Sequence, residues 1–504
     1  MKSRIALLIG MVLATAMALA SCGVPNVSPE TGEPVVLRVG ATLEPTGLDP
    51  ATVTGAGTPF VLLYNVYETL VKVDEQNKLR PLLAEDWTVS PDGLTYTFHL
   101  DPAARFASGS RVDAAAVATS FERIRSGQGI TDQARSAMAP VSRVEATEQN
   151  TLVVTLSRIS HQWLYDMAGP SGIVYDPEGL GTLDTKPAGS GPYVFDNWDP
   201  GASITLKVDR KYWGTGPRVD GVDFLYYTDP NAMNSAMLTG QLDVISNLTV
   251  PDAIGQFEND DRFKVLDGLT HGEVVLGFNH TNPALSDLKV RQAINHAIDR
   301  RALVDAVWGG KGAMIGTMVP PFDPWFDPTL VDYYAYDPAK AKELLAESGH
   351  ATGLTLRLRV PTLPYGPSSA RFIASQLAAV GIDVQVDELE FSAWLQQVYT
   401  NHDYDMTIVA HVEPRDLATF ANPNYYWLYD NPEFQKLIEQ ADEAATEEEN
   451  VALLKQASRL LTKDAAADWL FLLPNLVITT AEVTGIPANA PSLSFDLTQV
   501  ATSR

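Results

Sequence analysis

The residues best placed to do chemistry in this 504-residue chain are carboxylates: 62 Asp and Glu against 36 Lys and Arg give a formal charge of −26. Close acids such as Asp260-Asp261 and Asp403/Asp405 have the residue types of a general acid and base. With so many acids, that spacing is equally the spacing of solvated faces and helix caps. The eight histidines include no i, i+4 pair, so local spacing defines no metal site. A single cysteine excludes an intramolecular disulfide, a CxxC redox centre and a Cys-rich zinc site. No GxSxG, HExxH or GxxxxGK[ST] motif occurs, and Gly309-Gly310-Lys311-Gly312 lacks both the leading glycine spacing and the Ser/Thr of a phosphate loop. The expectation is a non-enzyme without a cofactor or metal. A polyanion with no basic patch also repels phosphate backbones, which excludes nucleic acid as a partner.

The one thiol, Cys22, stands in an informative place. Lys2 and Arg4 precede an apolar run over residues 5–20, shorter than the ~20 residues that span a bilayer, and the run closes on Leu19-Ala20-Ser21-Cys22-Gly23. This resembles a bacterial lipobox, whose cysteine is diacylated and becomes the new N-terminus. Residues 23–34 (GVPNVSPETGEP) have no apolar period and read as a tether. The body is then expected outside the cytoplasmic membrane, on the cell surface or in a periplasm. No later run reaches spanning length.

What must position any site is a body of mixed elements. The chain length predicts two to four folding units at ~100–200 residues each. VVLRVG (35–40), LTYTFHL (94–100), LVVTL (152–156), ITLKV (204–208), VDFLYY (222–227), VVLGF (274–278), LTLRLRV (354–360) and MTIVA (406–410) read as strands. Residues 290–307 carry apolar side chains at helical spacing. Asp337-Pro338 and Asn431-Pro432 are helix starts, Gly349 and Gly381 are helix ends, and 447–462 is the last long helix. Arg291 and Arg300 are expected in a surface network with Asp287 and Asp299. The alternation argues for α/β or α+β domains.

Several stretches together resemble family 5 of the extracellular solute-binding proteins, which serve ABC importers of peptides and nickel. They are LEPTGLDPA (43–51), VYETLV (66–71), PLLAEDWTVSPDGLTYTFHLDPAARFASG (81–109), GSGPYVFDNW (189–198), DRKYWGTGPRVDGVDF (209–224), LTGQLDV (238–244), GFNHTNPALSDLKVRQAINHAIDRRALV (277–304) and YDPAKAKELLAESG (336–349). Most of these residues also have a structural reading: Trp87, Gly93 and Tyr96 in a turn and strand, Gly189, Gly191 and Pro192 in tight turns, Tyr212-Trp213 in the core. The resemblance implies a two-lobe periplasmic-binding-protein fold of α/β class (type II, large cluster). Its parts would be a leader over 1–21, lipidated Cys22 and a tether to 34, lobe I over 35–270 with an extra subdomain at about 60–186, lobe II over 271–476, and a return to lobe I over 477–504. Hinges would lie near 272–279 and 473–480. Ligands implied are short peptides or peptide-like solutes, with a metal chelate or oligosaccharide as alternatives and a secreted hydrolase as a distant one. Partners would be a permease and its ATPases, with the binding protein itself a monomer.

The resemblance also implies site residues. Dipeptide-type members carry Arg-Pro-Tyr after the strand matching 354–360; here the segment is Leu363-Pro364-Tyr365, so Tyr365 is retained and the carboxylate-pairing arginine is not, leaving Arg371 or Arg415 to replace it. The loop after MTIVA, His411-Val412-Glu413-Pro414-Arg415-Asp416, corresponds to the segment that meets a peptide ammonium, with Asp416 or Glu413 as the anion. His411 is the position through which a metal chelate would be reached. Trp427, within Tyr425-Tyr426-Trp427, and Glu44, at the end of the first strand, complete the candidate lining.

Because no second cysteine can carry a lipid, Cys22→Ala is expected to abolish fatty-acid labelling and to leave an uncleaved precursor or a released product. Label retained in the alanine variant would refute the anchor.

Overall fold

Strand periodicity builds the body. In the computed structural model, which describes residues 34–503, β1 (Val36–Ala41) buries Leu37, Val39 and Ala41, every second residue. The leader, Cys22 and all of the tether but Pro34 lie outside the described residues. Omitting the shortest bridging strands, the chain next forms β2 (Ala84–Val89), β3 (Thr95–Leu100), β4 (Val141–Glu148) and β5 (Thr151–Leu156). These make one antiparallel sheet in the order β2-β3-β5-β4.

The remaining strands are β6 (Tyr193–Asp199), β7 (Ser203–Val208), β8 (Gly221–Tyr226), β9 (Val244–Ile245), β10 (Phe263–Phe278), β11 (Leu354–Pro361), β12 (Ile382–Leu389), β13 (Met406–His411) and β14 (Ala467–Thr480). With β1 they form a ten-stranded sheet ordered β6-β7-β8-β1-β9-β14-β10-β13-β11-β12. Pairing is parallel for β1 with β8 and β9, and for β11 with β12 and β13. At the centre, β10 and β14 run antiparallel along nearly their whole length. The expected strand at 274–278 is therefore the end of a 16-residue strand, against a usual ~5–6. Its ladder to β14 lapses between Leu269 and Glu273.

Helices follow their caps. Asp113 accepts from Ala116 N at the start of α1 (Ala114–Ser126), which covers the four-stranded sheet with Val117, Phe121 and Ile124. The helix expected over 290–307 is two, α2 (Leu288–Ala297) and α3 (Arg300–Trp308): Ile298 is extended and Asp299 caps α3 through Ala302 N. Asp337 caps α4 (Pro338–Glu347), and α5 (Gly366–Ala379) is the crossover between parallel β11 and β12. Asn431 and Thr446 cap α6 (Pro432–Asp442) and α7 (Glu447–Lys463). Apolar side chains gather into one core drawn from residues 37–244 plus Val477 and the tail to Val500, and two others drawn from 233–478. Among the described residues, no helix is long and apolar enough to cross a membrane.

Arg291 and Arg300 do not form the expected surface network. Both are buried, and Asp287 and Asp299 are occupied as helix caps. Arg291 donates instead to the carbonyls of Leu285, Asp464 and Ala465, tying α2 to the chain leaving α7, where helix-end carbonyls lack intrahelical partners. Arg291→Met is expected to lower stability by about 2–5 kcal/mol in urea unfolding, and Arg291→Lys to recover little, because an ammonium lacks the planar fork. A loss within the ~0.5 kcal/mol of an ordinary surface substitution would refute this role.

Candidate functional site

A cavity of about 1050 Å³ lies between two walls from distant parts of the chain. One is drawn from residues 133–171, Leu63, Val73 and the tail segment 491–493; the other from Trp325, the loop 413–421 after β13, and α6 with the start of α7. This is the upper end of the ~300–1,000 Å³ of small-ligand pockets.

The loop after β13 carries the charged groups. Asp416 is 7% exposed and opens a short 3-10 turn over Asp416–Ala421. Its Oδ2 accepts from His411 Nδ1 at 3.0 Å, and His411 Nε2 in turn accepts from the Tyr426 hydroxyl at 2.9 Å. Asp416 Oδ1, also buried, has no partner. Burial holds the Asp416 carboxyl above the usual carboxylate range, although the His411 bond pulls the other way. Beneath it, Glu273 of β10 sits in register with His411 and is 1% exposed. Burial, and then the neighbouring Asp416 charge, push Glu273 well above its ordinary value, which favours its neutral form.

Arg415 has a left-handed backbone (φ 59°), and its guanidinium lies over the Tyr165 ring at 3.9 Å and the Trp325 ring at 5.0 Å. Tyr165 reaches from the opposite wall. Its hydroxyl donates to Asn77 Oδ1, whose amide donates to Asp323 Oδ1 at 2.6 Å. Burial raises Asp323 to about 7 and Asp166 to about 6; Asp166 accepts from Gln162 Nε2 at 2.7 Å. At the cavity's edge, Asp442 at the end of α6 accepts from Arg158 at 2.6 Å, Ser160 at 2.9 Å and the Gln162 backbone at 3.3 Å. His161 N donates to the Asp442 carbonyl at 3.2 Å. The two walls are thus bonded directly to each other.

Of the residues expected at the site, Glu413, Arg415 and Asp416 lie in the cavity wall and five do not. Glu44 accepts from Trp198 Nε1 and Gly201 N, both at 2.8 Å, and so fastens the β6–β7 hairpin. Tyr365 is buried, its hydroxyl accepting from Ala410 N at 3.0 Å and pushed up to about 12 by burial; it braces the end of β13. Arg371 is on the exposed face of α5, paired with Glu388 at 2.8 Å. His411 is enclosed, outside the cavity wall, with both ring nitrogens engaged by Asp416 and Tyr426. Trp427 is fully buried, stacked on Phe420 at 4.7 Å. The acidic pairs noted in the sequence are locally satisfied: Asp260 by Arg262, Asp403 by Arg357 and Arg359. Lys311 pairs with Glu258 and Asp267. Tyr165, Asp166, Trp325 and Asp442 line the same cavity and were not found from sequence; the aromatic and polar density of HQWLYD (161–166) was the only local signal.

Residues 78–437 match the model of the bacterial extracellular solute-binding proteins, family 5 (middle). The chain is 26% identical over 460 residues to di/tripeptide-binding protein 1 of Pseudomonas aeruginosa, covering 83% of this chain and 85% of that protein. Among solved structures, the periplasmic binding protein DppA of Helicobacter pylori in complex with peptide STSA superposes with a TM-score of 0.79 at 24% identity, over 93% of this chain and 98% of that one. NikA of Brucella suis in complex with Fe(III)-EDTA does so with 0.82 at 23% identity, over 93% and 99%. The fold is that of the two-lobe binding proteins, in the α/β class expected.

Binding proteins of this fold close about hinges, and Asp442 is where the walls meet. Asp442→Ala is expected to enlarge the radius of gyration of unliganded protein in small-angle scattering and to weaken ligand binding by the fraction of closed form lost. An unchanged scattering profile would show that these bonds do not hold the cavity shut.

Proposed function

The chain belongs to the bacterial extracellular solute-binding proteins of family 5, and we propose that it captures short peptides or peptide-like amines in this cavity and delivers them to the permease of an ABC importer. The carrying observation is Asp416: an almost wholly buried carboxylate in the cavity wall, held by His411 through one oxygen and left with the other unpaired. An ammonium is the group that completes it, in a charge-assisted bond strengthened by exclusion of water. Glu413, Glu439 and Glu443 in the same walls make the cavity favourable to cations.

In this reading the chain catalyses no reaction. Cys22 carries the lipid that tethers it outside the cell membrane, residues 35–270 with 477–504 act as one lobe and 271–476 as the other, and motion is taken up near 272–279 and 473–480. The monomer is the working unit. The related protein from Pseudomonas, named for di- and tripeptides, and the neighbour crystallised with a peptide support the ligand class.

Thermal melting with defined di- to tetrapeptide pools tests it: a ligand that binds only the folded chain raises the melting temperature in proportion to its excess. Asp416→Asn keeps the shape and removes the charge, with an expected loss of about 1.5–3 kcal/mol of binding free energy, and N-acetylated peptides should bind as poorly to the wild type. Affinity should fall as pH is lowered, beginning at a higher pH than an ordinary carboxylate would give, because burial raises Asp416 and its protonated form cannot pair with an ammonium. Melting indifferent to every pool would refute the reading.

A further inference from the structure

Away from the cavity lining, one bond between the two walls hides a carboxylate. Asn77 stands at the turn of a hairpin over 71–81, which packs through Val73 into the core of the first wall. Asp323 lies two residues before Trp325, on the side of the second wall. Both are buried, at 6% and 4% exposure. The backbone of Asn77 is left-handed (φ 58°), which asparagine adopts more readily than most residues. Its Nδ2 donates to Asp323 Oδ1 at 2.6 Å, and its Oδ1 accepts from the Tyr165 hydroxyl. The Tyr165 ring in turn carries the Arg415 guanidinium at 3.9 Å. Two side chains from each wall thus form one clasp.

The clasp treats the two forms of Asp323 differently. Asp323 Oδ2 is buried without a hydrogen-bond partner, so the anion is held by a single donor. A desolvated carboxylate so poorly held is costly, whereas the neutral acid is cheap and its carbonyl oxygen still accepts from Asn77. The groups that face it do not cancel its charge. Arg415 is the permanent cation, and Asp416 on the same loop opposes it. Glu273 of β10 adds another buried carboxyl. His271, whose ring packs on Phe322 and whose Nε2 donates to the Pro491 carbonyl, is held neutral, at about 3, by burial. Burial likewise pushes the Tyr165 hydroxyl up, away from ionisation. The balance raises Asp323 to about 7, burial outweighing Arg415.

We propose that Asp323 is a proton-operated clasp between the walls, taking up a proton as they close and releasing it as they part, so that acid closes the empty protein. The proposal goes beyond the reading of the cavity and is independent of the ligand. Parting the walls withdraws Asn77 and Tyr165 and leaves Asp323 with Arg415 and water, which returns its carboxyl toward the ordinary ~4. The closed form then holds the proton more tightly. As pH falls from about 7 toward ~4, the closed-to-open ratio rises by up to about tenfold per pH unit. This sign is opposite to the effect of acid on an ammonium at Asp416.

Small-angle scattering of the whole, ligand-free protein between about pH 5.5 and 8.5 tests it. The radius of gyration of the wild type should shrink as pH is lowered. Asp323→Asn keeps an acceptor for Asn77 and removes the charge, so it should be compact at every pH and lose the response. Asn77→Gly suits the left-handed turn and removes the donor, so it should be more open than wild type throughout. A wild-type radius that is flat or grows in acid would overturn the clasp. A response unchanged in Asp323→Asn would assign the proton to Glu273 or Asp416 and overturn it equally. Should Asp323→Asn fail to fold, Asn77→Gly and the wild-type profile decide: a wild-type radius in Asn77→Gly overturns the proposal.

Discussion

The pairing of β10 with β14 is the constraint on which the rest of the molecule depends. Both strands are long and central in the sheet, β14 buried along nearly all its length and β10 from His271 onward, so neither can be displaced there without exposing core. The half of β10 before residue 270 bonds the half of β14 after Leu473, and the later half of β10 bonds the earlier half of β14. Between these halves the ladder lapses, and local bonds take over: Thr270 Oγ1 donates to the Leu473 carbonyl at 2.8 Å and accepts from Gly272 N at 2.9 Å. Pro474, with no N–H to give, stands opposite. A strand pair that is rigid on both sides of a short irregular step concentrates bending at that step.

Glu273 is the first residue beyond the step, and it couples the strand pair to the site. Its register partner on β13 is His411, whose ring fixes Asp416. Two carboxyls buried this close cannot both ionise cheaply. Burial raises both, and of the two Asp416 has the imidazole of His411 to oppose that rise. The histidine that resembles a ligand contact in sequence is therefore a support: Tyr426 and Asp416 occupy both its nitrogens and fix its tautomer, and Trp427 packs on its face at 4.8 Å. The His411 bond is what favours the charged form of Asp416 in this buried wall, and Glu273 has no such support from a side chain.

Much of the fold was legible because it depends on local pattern. Alternating residues placed β3, β5, β7 and β13 to within a residue or two, and Asp-Pro and Asn-Pro pairs placed the starts of α4 and α6. The break between α2 and α3 was missed because the apolar spacing runs through it; Asp299 was read as a surface partner when it is a cap. Of the candidate residues read from sequence, only those of one loop, Glu413, Arg415 and Asp416, line the cavity. Tyr165 and Trp325 meet Arg415 from 250 and 90 residues away along the chain, roughly, and no spacing rule spans such distances. Tyr365 and Trp427 stand in the core rather than in the cavity wall for a physical reason. Large aromatics are equally suited to a pocket and to a core, and the Tyr365 hydroxyl finds its acceptor role on the backbone of β13.

The wall that holds Arg415 also makes closure and recognition one equilibrium. The Tyr165 ring reaches Arg415 across the cavity, so the stack depends on the two walls being together. Bringing them together gains the stack and the Asp442 bonds, but strips water from a cation and from a carboxylate oxygen that then have no partners. Stacking of this kind contributes about 0.5–2 kcal/mol, and a desolvated charge costs several. Closing empty is therefore disfavoured at Asp416, the group that the proposed ammonium would satisfy. A ligand that supplies that ammonium removes the cost at Asp416, so the charge of the ligand and the contact between the walls are linked.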